Sequence, residues 1–439
     1  MKAETAGQRS ARKLRPLPPG WRWVRLGEIC QVNPSRSPNF QRPADAPTTF
    51  VPMEAVDEEQ GAITRPQTKP YHEVMKGYTY FEEGDIIWAK ITPCMENGKS
   101  AVARGLRDSF AFGSTEFHVI RPTSIVIPEF IWHFVRQPSF RLEATRHFVG
   151  AVGQQRVPEV FLKNALLPLP PLTEQRAIVA RLEAQMAQVQ RLRAAAQRQL
   201  EAARAIQGAI LRQVFRYKEG ESLPPGWRWV RLGNCLTDVQ PGIACGDKSL
   251  TEGVPHLRMN NISSDGRIDL SLLWRIPVSK SDLDKYRLRS GDVLFNNTNS
   301  VELVGKTALF TIEDGDYVFS NHLTRLRTQV DVLRPGWLAF YLRLLWQNHY
   351  FERVADRWIG QSAVRDDILR SLLFPLPPTD QQDVLLIRLE AQVAQAQRLR
   401  AAAERQLEAI HALPGALLNE VFGGFEPPAG SEPAGGYGR

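Results

Sequence analysis

PLPPLTEQRAIVARLEAQMAQVQRLRAAAQRQLEA fills residues 168–202, and PLPPTDQQDVLLIRLEAQVAQAQRLRAAAERQLEA fills residues 375–409. They are one helix written twice, at an offset of 207 residues. The doubling extends outward. LPPGWRWVRLG stands at Leu17–Gly27 and again at Leu223–Gly233, and GAILRQVF at 208–215 returns as GALLNEVF at 415–422. A repeat of this size makes the chain a tandem of two units, each a compact region followed by a long helix.

Each helix has a marked start. Pro168, Pro170 and Pro171 exclude helix before about 172, so Thr173 is the expected N-cap and Asp380 its equivalent. Apolar residues then fall three and four apart: Val179, Leu182, Met186, Val189, Leu192, Ala196, Leu200, Ala203, Ile206 and Ile210. The second copy runs Leu386, Leu389, Val393, Ala396, Leu399, Ala403, Leu407, Ile410 and Leu413. This is the pattern of a coiled-coil seam, with alanines permitting close approach. A helix of this length spans about 60 Å, more than the roughly 35–40 Å of a 150-residue domain. Much of the seam therefore needs a second helix. The expected partner is its own repeat, packed antiparallel within one chain. Pairing between chains would satisfy the same seam.

The boundaries follow from these marks. Residues 1–16 form a basic extension, 17–167 the first head, 168–216 the first helix, 217–374 the second head, and 375–422 the second helix with a short tail helix near 415–422. Residues 423–439 are rich in Gly and Pro and are expected to be disordered. The expected class is α+β: two similar globular heads separated by an antiparallel two-helix coiled coil, a pseudo-twofold internal repeat. The runs VIRP (119–122) and TRLRTQV (324–330) read as strands. The heads match at their edges, GDIIWAKITP (84–93) against GDVLFNNTNS (291–300), and little between about 30–80 and 236–287. One frame with different inserts suggests one kind of task on two targets.

With 43% hydrophobic residues the chain can bury real cores and is not a disordered protein. It has no run of 18 apolar residues, so no membrane span is expected. The basic N-terminus lacks an apolar stretch and does not read as a secretory signal. Cys30, Cys94, Cys235 and Cys245 lack zinc spacing and read as reduced thiols, which points to the cytoplasm. The net charge of +8 favours an anionic partner. Residues 172–216 carry eight Arg and three Glu, whereas 379–413 carry four Arg and five acids.

No catalytic constellation is legible. Gly305-Lys306-Thr307 looks like the end of a phosphate loop, but Ser300 stands where the first glycine is required. GxGxxG, HExxH and the Asp/Asn-Pro-Pro-aromatic element of amino-methyltransferases are absent. Glu82-Glu83-Gly84-Asp85 and Asp366-Asp367 read as turn or cap acids, and His118 and His322, in corresponding parts of the heads, as core or surface residues. No metal site is expected.

What remains suits DNA. Lys90, Thr92, Asn97 and Lys99 follow a strand in the first head; Asn296, Asn297, Asn299 and Lys306 occupy the matching place in the second. Amide side chains can bond adenine edges, and cations meet guanine or phosphate. Gly153-Gln154-Gln155-Arg156 matches Gly360-Gln361-Ser362-Ala363, a glycine with polar neighbours suited to a close phosphate. Arg258, Asn260 and Asn261 add a cluster in the second head.

Taken together, the head-opening PPGWxWVRLG, the GDIIWAKITP and GDVLFNN strands, the GQ element and the two PLPP-initiated helices resemble the specificity subunit of type I restriction-modification systems. The resemblance covers about 17–422. It implies two target recognition domains, each reading half of a split site in double-stranded DNA. It also implies a coiled coil that sets the gap and docks two modification (methyltransferase) subunits, with restriction/translocase subunits joining them. S-adenosylmethionine, ATP and Mg2+ would belong to those partners, leaving this chain non-catalytic and without cofactor. The helix entries match the family's, so Glu174, Gln175, Arg181, Gln381, Gln382 and Arg388 are expected in docking; Gln381 departs from the usual glutamate. The competing readings are a coiled-coil DNA-binding adaptor without a modification partner and a stand-alone DNA-modifying enzyme.

Overall fold

The computed structural model describes residues 16–37, 40–151, 153–245 and 252–425. The basic extension and the Gly/Pro-rich tail lie almost wholly outside the described residues. The chain divides into two compact units. Unit 1 comprises 1–195 with 407–439, and unit 2 comprises 196–406. Each long helix therefore begins in one unit and ends in the other.

In unit 1 the Trp-rich opening forms a strand, Arg22–Arg25, that pairs antiparallel with Leu166–Leu169 just before the first long helix. Unit 2 repeats the pair with Arg228–Arg231 and Leu373–Leu376. The opening motif and the helix entry are thus bonded partners, which is why they recur together. Behind them lies an antiparallel sheet: Cys30–Val32, Phe117–Pro122, Ile86–Ala89 and Ser100–Val102. Its counterpart is Leu236–Pro241, Leu323–Thr328, Val293–Asn296 and Thr307–Leu309. The GD dipeptide that opens the central strand has a local cause. Gly84 and Gly291 take positive φ, +88° and +96°. The aspartates that follow bond the turn and grip an arginine of the next strand bidentately. Asp85 meets Arg121 at 2.8 and 2.7 Å, and Asp292 meets Arg327 at 2.6 and 3.0 Å.

The middles of the heads correspond more closely than their sequences suggest. In unit 1 Pro47–Val51 runs parallel to Phe110–Gly113; in unit 2 Val254–Leu257 runs parallel to Val318–Phe319. Each is followed by a one-turn 3-10 helix, Met53–Ala55 or Met259–Asn261. A narrow hairpin comes next, closed by Val56↔Ile63 in one head and Ile262↔Ile268 in the other. The shared frame here is carried by backbone pairing and glycine positions, which tolerate almost any exposed side chain.

The long helices are Leu172–Val214 and Thr379–Phe422. The second is continuous through Pro414, so the separate tail helix expected near 415–422 is its last turns. The ring removes one helical hydrogen bond, but Leu418, Val421 and Phe422 beyond it are buried in the core of unit 1 and hold the helix on course. The starts also differ from expectation. Thr173 and Asp380 lie inside the first turns, and the carbonyls of Pro171 and Pro378 open the ladders, accepting from Gln175 and Gln382 N–H at 2.9 Å each. Each glutamine side chain completes the entry. Gln175 accepts from Ile127 N–H at 3.0 Å and donates to the carbonyls of Ile125 (3.1 Å) and Pro170 (2.9 Å). Gln382 accepts from Arg334 N–H at 2.8 Å and donates to Val332 and Pro377, both at 2.9 Å.

Within unit 1 the start of the first helix (Ile178, Val179, Leu182) shares a core with the end of the second (Leu418, Val421, Phe422). In unit 2 the end of the first (Leu211, Phe215) shares a core with the start of the second (Leu389). The helices therefore run in opposite directions. Along them, burial recurs every seven residues, at Leu182, Val189, Ala196 and Ala203 and at Leu389, Ala396, Ala403 and Ile410. Leu192, Ile206, Leu399 and Leu413, expected in the seam, are 41, 36, 49 and 37% exposed. The heptad spacing turns them off the contact face.

This burial pattern has a direct test. Leu200, 4% exposed, replaced by alanine is expected to cost on the order of 2–4 kcal/mol of stability. Leu192→Ala is expected to cost no more than about 0.5 kcal/mol. Thermal unfolding of the two variants side by side checks the ranking; equal losses would contradict the assigned face.

Candidate nucleic-acid interface

In unit 1 the strand Ile86–Ala89 delivers Lys90 to a junction. Lys90 N–H donates to the Glu116 carbonyl, and its own carbonyl accepts from Val157 N–H, both at 2.9 Å. The loop beyond is drawn to the GQQR segment by Thr92 N–H on the Gln155 carbonyl (3.0 Å) and by bridges of Arg156 to Ile91 and Val149. Five of the polar residues singled out from the sequence, Lys90, Thr92, Gln154, Gln155 and Arg156, therefore share one loop platform. Asn97 is exposed on the adjoining turn.

The platform is held by a residue the sequence reading passed over. Glu116 accepts from Arg156 Nε at 2.9 Å and Nη2 at 2.6 Å, while Arg156 Nη1 donates to the Gln154 carbonyl at 2.9 Å. The hydrogen bonds from Arg156 hold the Glu116 carboxyl below its usual range. Arg156 is thus partly spent on shaping the loop. Thr92 donates its hydroxyl to the Glu96 carboxylate. His118 lies behind the platform, with Nε2 2.8 Å from the Val157 carbonyl and Nδ1 beside Asn33; burial pushes its pKa down. It is a core residue. Its place in the repeat is taken by Thr324, while His322 corresponds to Glu116, since Asn297 N–H donates to His322 as Lys90 does to Glu116.

Unit 2 builds the same junction with different chemistry. Val364 N–H donates to the Asn297 carbonyl at 2.9 Å, and Thr298–Asn299 pairs with Gln361–Ala363, placing Asn299 opposite Ser362. Asn297 is turned inward. Its Nδ2 donates to the Asn321 carbonyl (3.1 Å) and to Thr324 Oγ1 (2.8 Å), and its Oδ1 is buried. Asn296 is wholly buried. Gln361 and Asn260 are exposed, Asn299 is half-buried, and Ser362 is buried. Arg258 stacks on Trp274 at 3.9 Å.

Several expected contact residues have internal work instead. Lys99 Nζ reaches the Met53 carbonyl at 3.4 Å and Glu58 at 3.8 Å. Lys306, 8% exposed, repeats this on the Met259 carbonyl at 3.4 Å and also binds the Ile262 carbonyl at 2.5 Å. Asn261 side-chain atoms bond Arg258 N–H and the carbonyls of Asp269 and Leu272. These residues tie the middle of each head to the central strand. Gly305 turns at φ +92° against Phe351, as a packed turn and not a phosphate cradle.

At the helix entries Gln175 and Gln382 are buried staples and present nothing to a partner. Arg181 and Arg388 are exposed, and Glu174 is half-buried. Gln381, where the first copy has Glu174, accepts from Trp227 Nε1 at 2.9 Å. The ion pairs Asp85–Arg121 and Asp292–Arg327 were legible in principle, because each partner recurs at an offset of 206 or 207. Among the described residues no cluster of three or more His, Cys, Asp or Glu side chains could hold a metal ion, and no helix is long and apolar enough to cross a membrane.

A family model described as the type I restriction modification DNA specificity domain matches residues 18–202. The specificity subunit of type I restriction enzyme EcoAI from Escherichia coli is 24% identical over 95% of this chain and 88% of its own length. That of EcoEI, also from Escherichia coli, is 33% identical over 48% of this chain and 35% of its own length. Among solved structures, the HsdS subunit from Thermoanaerobacter tengcongensis is 28% identical with a TM-score of 0.60, covering 93% of this chain and 98% of that one. A chain from a study of assembly and conformational transition in a type I R-M system is 27% identical with a TM-score of 0.76, covering 92% and 98%.

The Glu116–Arg156 pair predicts a pH response of the platform. Glu116 titrates lower folded than unfolded, so its contribution is full above the ordinary glutamate value of about 4.3 and fades as pH falls through its folded value. Amide exchange across 149–157, corrected for intrinsic rates, is expected to quicken on acidification before the strand Ile86–Ala89 does. Glu116→Gln should produce that quickening at neutral pH. Unchanged exchange in the variant would remove Glu116 as the clamp.

Proposed function

We propose that this chain, which belongs to the type I restriction-modification DNA specificity family, is the subunit that chooses where such a complex acts. Each head reads one half of a bipartite site in double-stranded DNA, and the long helices relate the two halves. The observation that carries this reading is the repeated junction at Lys90 and Asn297. The backbone bonding is the same in both heads, but the side chains offered there differ. A shared frame with unlike chemistry is what two different half-sites require. The polar groups that reach solvent, exposed Asn97 and Gln154 with half-buried Lys90 and Gln155 in one head, and exposed Asn260 and Gln361 with half-buried Asn299 in the other, would supply base and phosphate contacts.

The chain would act as a non-catalytic subunit. Two modification subunits would dock on the helices and adjoining head surfaces, with Arg181 and Arg388 available at the exposed entry faces, and restriction/translocase subunits would complete the assembly. S-adenosylmethionine, ATP and Mg2+ would be bound by those partners. An adaptor without a modification partner leaves the full-length likeness to specificity subunits unexplained.

Lys90→Ala is expected to weaken or relax recognition of the half-site read by the first head and to leave the other unaltered. Methylome sequencing of a host carrying the full complex reads both halves at once. A loss spread evenly over both would contradict the assignment.

Helix length should set the spacer. Deleting 197–203 and 404–410 removes one heptad from each helix and returns the seam to nearly the same face. The lost rise is about 10 Å, close to three base pairs at 3.4 Å. The letters should persist while the preferred spacer shortens by about that amount. A shortened protein that assembles and keeps the original spacer would show that the heads alone fix the gap.

A further inference from the structure

The hairpin in the middle of each head carries acid at its turn, Asp57, Glu58 and Glu59 in unit 1 and Asp265 in unit 2. An arginine from the body of the head grips each one, and in unit 1 a second arginine grips it from the long helix. In unit 1 the half-buried Arg136, at the end of helix Pro128–Val135, donates Nη2 to the carbonyls of Glu58 (2.9 Å) and Glu59 (3.2 Å). Its guanidinium stacks 4.8 Å from the Trp132 ring. The fit leaves no room at the hairpin turn. Gly61 has φ +65°, and a Cβ there would lie 2.1 Å from Trp132 and 2.3 Å from Arg136. From the other side Arg193 of the first long helix clasps the Glu59 carboxylate with two bonds of 2.8 Å.

Unit 2 repeats the device. Arg343, 207 residues after Arg136, is 6% exposed and donates Nη1 to the Asp265 carbonyl. Gly266 has φ +77°, and its Cβ would lie 2.4 Å from Arg343. Asp265 is held below its ordinary range although burial pushes it up, because Ser263 and Arg267 donate to it and the charges of Arg267 and Arg400 favour its anion. Arg400 stands 207 residues after Arg193. In unit 2 the ion pair of Asp265 is with Arg267 of the hairpin itself, at 2.9 Å, and Arg400 bonds Glu404 of its own helix, also at 2.9 Å, so the direct clasp between helix and hairpin turn belongs to Glu59–Arg193 in unit 1.

We infer that these hairpins, 56–63 and 262–268, are struts that fix the angle between each head and its long helices, with Arg136, Arg193 and Arg343 as positioning residues. This rests on the reading of the chain as a bipartite-site specificity subunit. The heads then keep their letters through the loop platforms, while the struts make the spacer sharp. The physical ground is leverage. An ion pair at the hairpin turn lies away from the strand pair that joins head and helix, so it resists rotation about that joint.

The test uses the full chain and a library of duplexes randomised in sequence, from which bound DNA is selected and sequenced. The wild type is expected to yield two fixed half-sites at one dominant spacer. Glu59→Arg and Arg193→Glu should each keep the letters but spread the selected spacers by at least about one base pair on either side. Occupancy of the original spacer should fall roughly two- to fivefold, the scale of one exposed ion pair. The combined variant E59R/R193E should restore the sharp spacer. General destabilisation would lower binding at every spacer alike and would not be rescued by the exchange. Arg343→Met, which removes the clamp in unit 2 without touching the helix charge, should broaden the distribution too. Single variants with a wild-type spacer distribution, or with altered letters, would overturn the strut. A wild type that yields no bipartite consensus would instead bring down the functional reading itself.

Discussion

The core at the base of each head is finished by a helix end that arrives from the other half of the chain. Leu418, Val421 and Phe422 close the core of unit 1, where Phe422 meets Phe130 and Phe134 with ring centroids 5.1 and 5.8 Å apart. Leu211 and Phe215 do the same for unit 2, with Phe215 4.6 Å from Trp337. Removing such residues from water contributes roughly 1.5–3 kcal/mol each. The heads therefore cannot settle fully until the helices do, and the direction of each helix is dictated at both of its ends.

That constraint explains why the helix entries are so heavily specified. A long helix that must meet a core at its far end needs a determined starting angle. Two prolines, a strand pair with the Trp-rich opening and a buried glutamine with three backbone bonds supply it. Their near-identity between the copies reads as docking at first sight. The buried position of Gln175 and Gln382 assigns much of it to internal architecture.

The polar residues divide by the same logic. Cations that look alike in sequence take opposite roles according to what the backbone sets beside them. Lys90 stands half-buried at a loop platform, while Lys99 and Lys306 turn inward to carbonyls of the 3-10 helices. A buried ammonium needs such acceptors to offset lost hydration, and only the fold brings Met53 and Met259 within reach. The same holds for Arg136 and Arg343 on the hairpin carbonyls.

Sequence by itself determined the tandem plan, the two long helices, the central strands of each sheet and the place of the polar junction, because each is written locally as a repeat, a heptad or an alternation. It also pointed to DNA specificity, through the order of its duplicated motifs. It did not determine which seam residues are buried. Leu192 and Leu399 match the apolar spacing yet lie off the contact face, since a seam is chosen by the partner helix and not by hydrophobicity alone. Nor did it show that the unlike middles share a hairpin, or that Glu116 and Arg156 meet across 40 residues. Those pairings depend on long-range backbone register, which leaves side chains free to diverge while geometry persists.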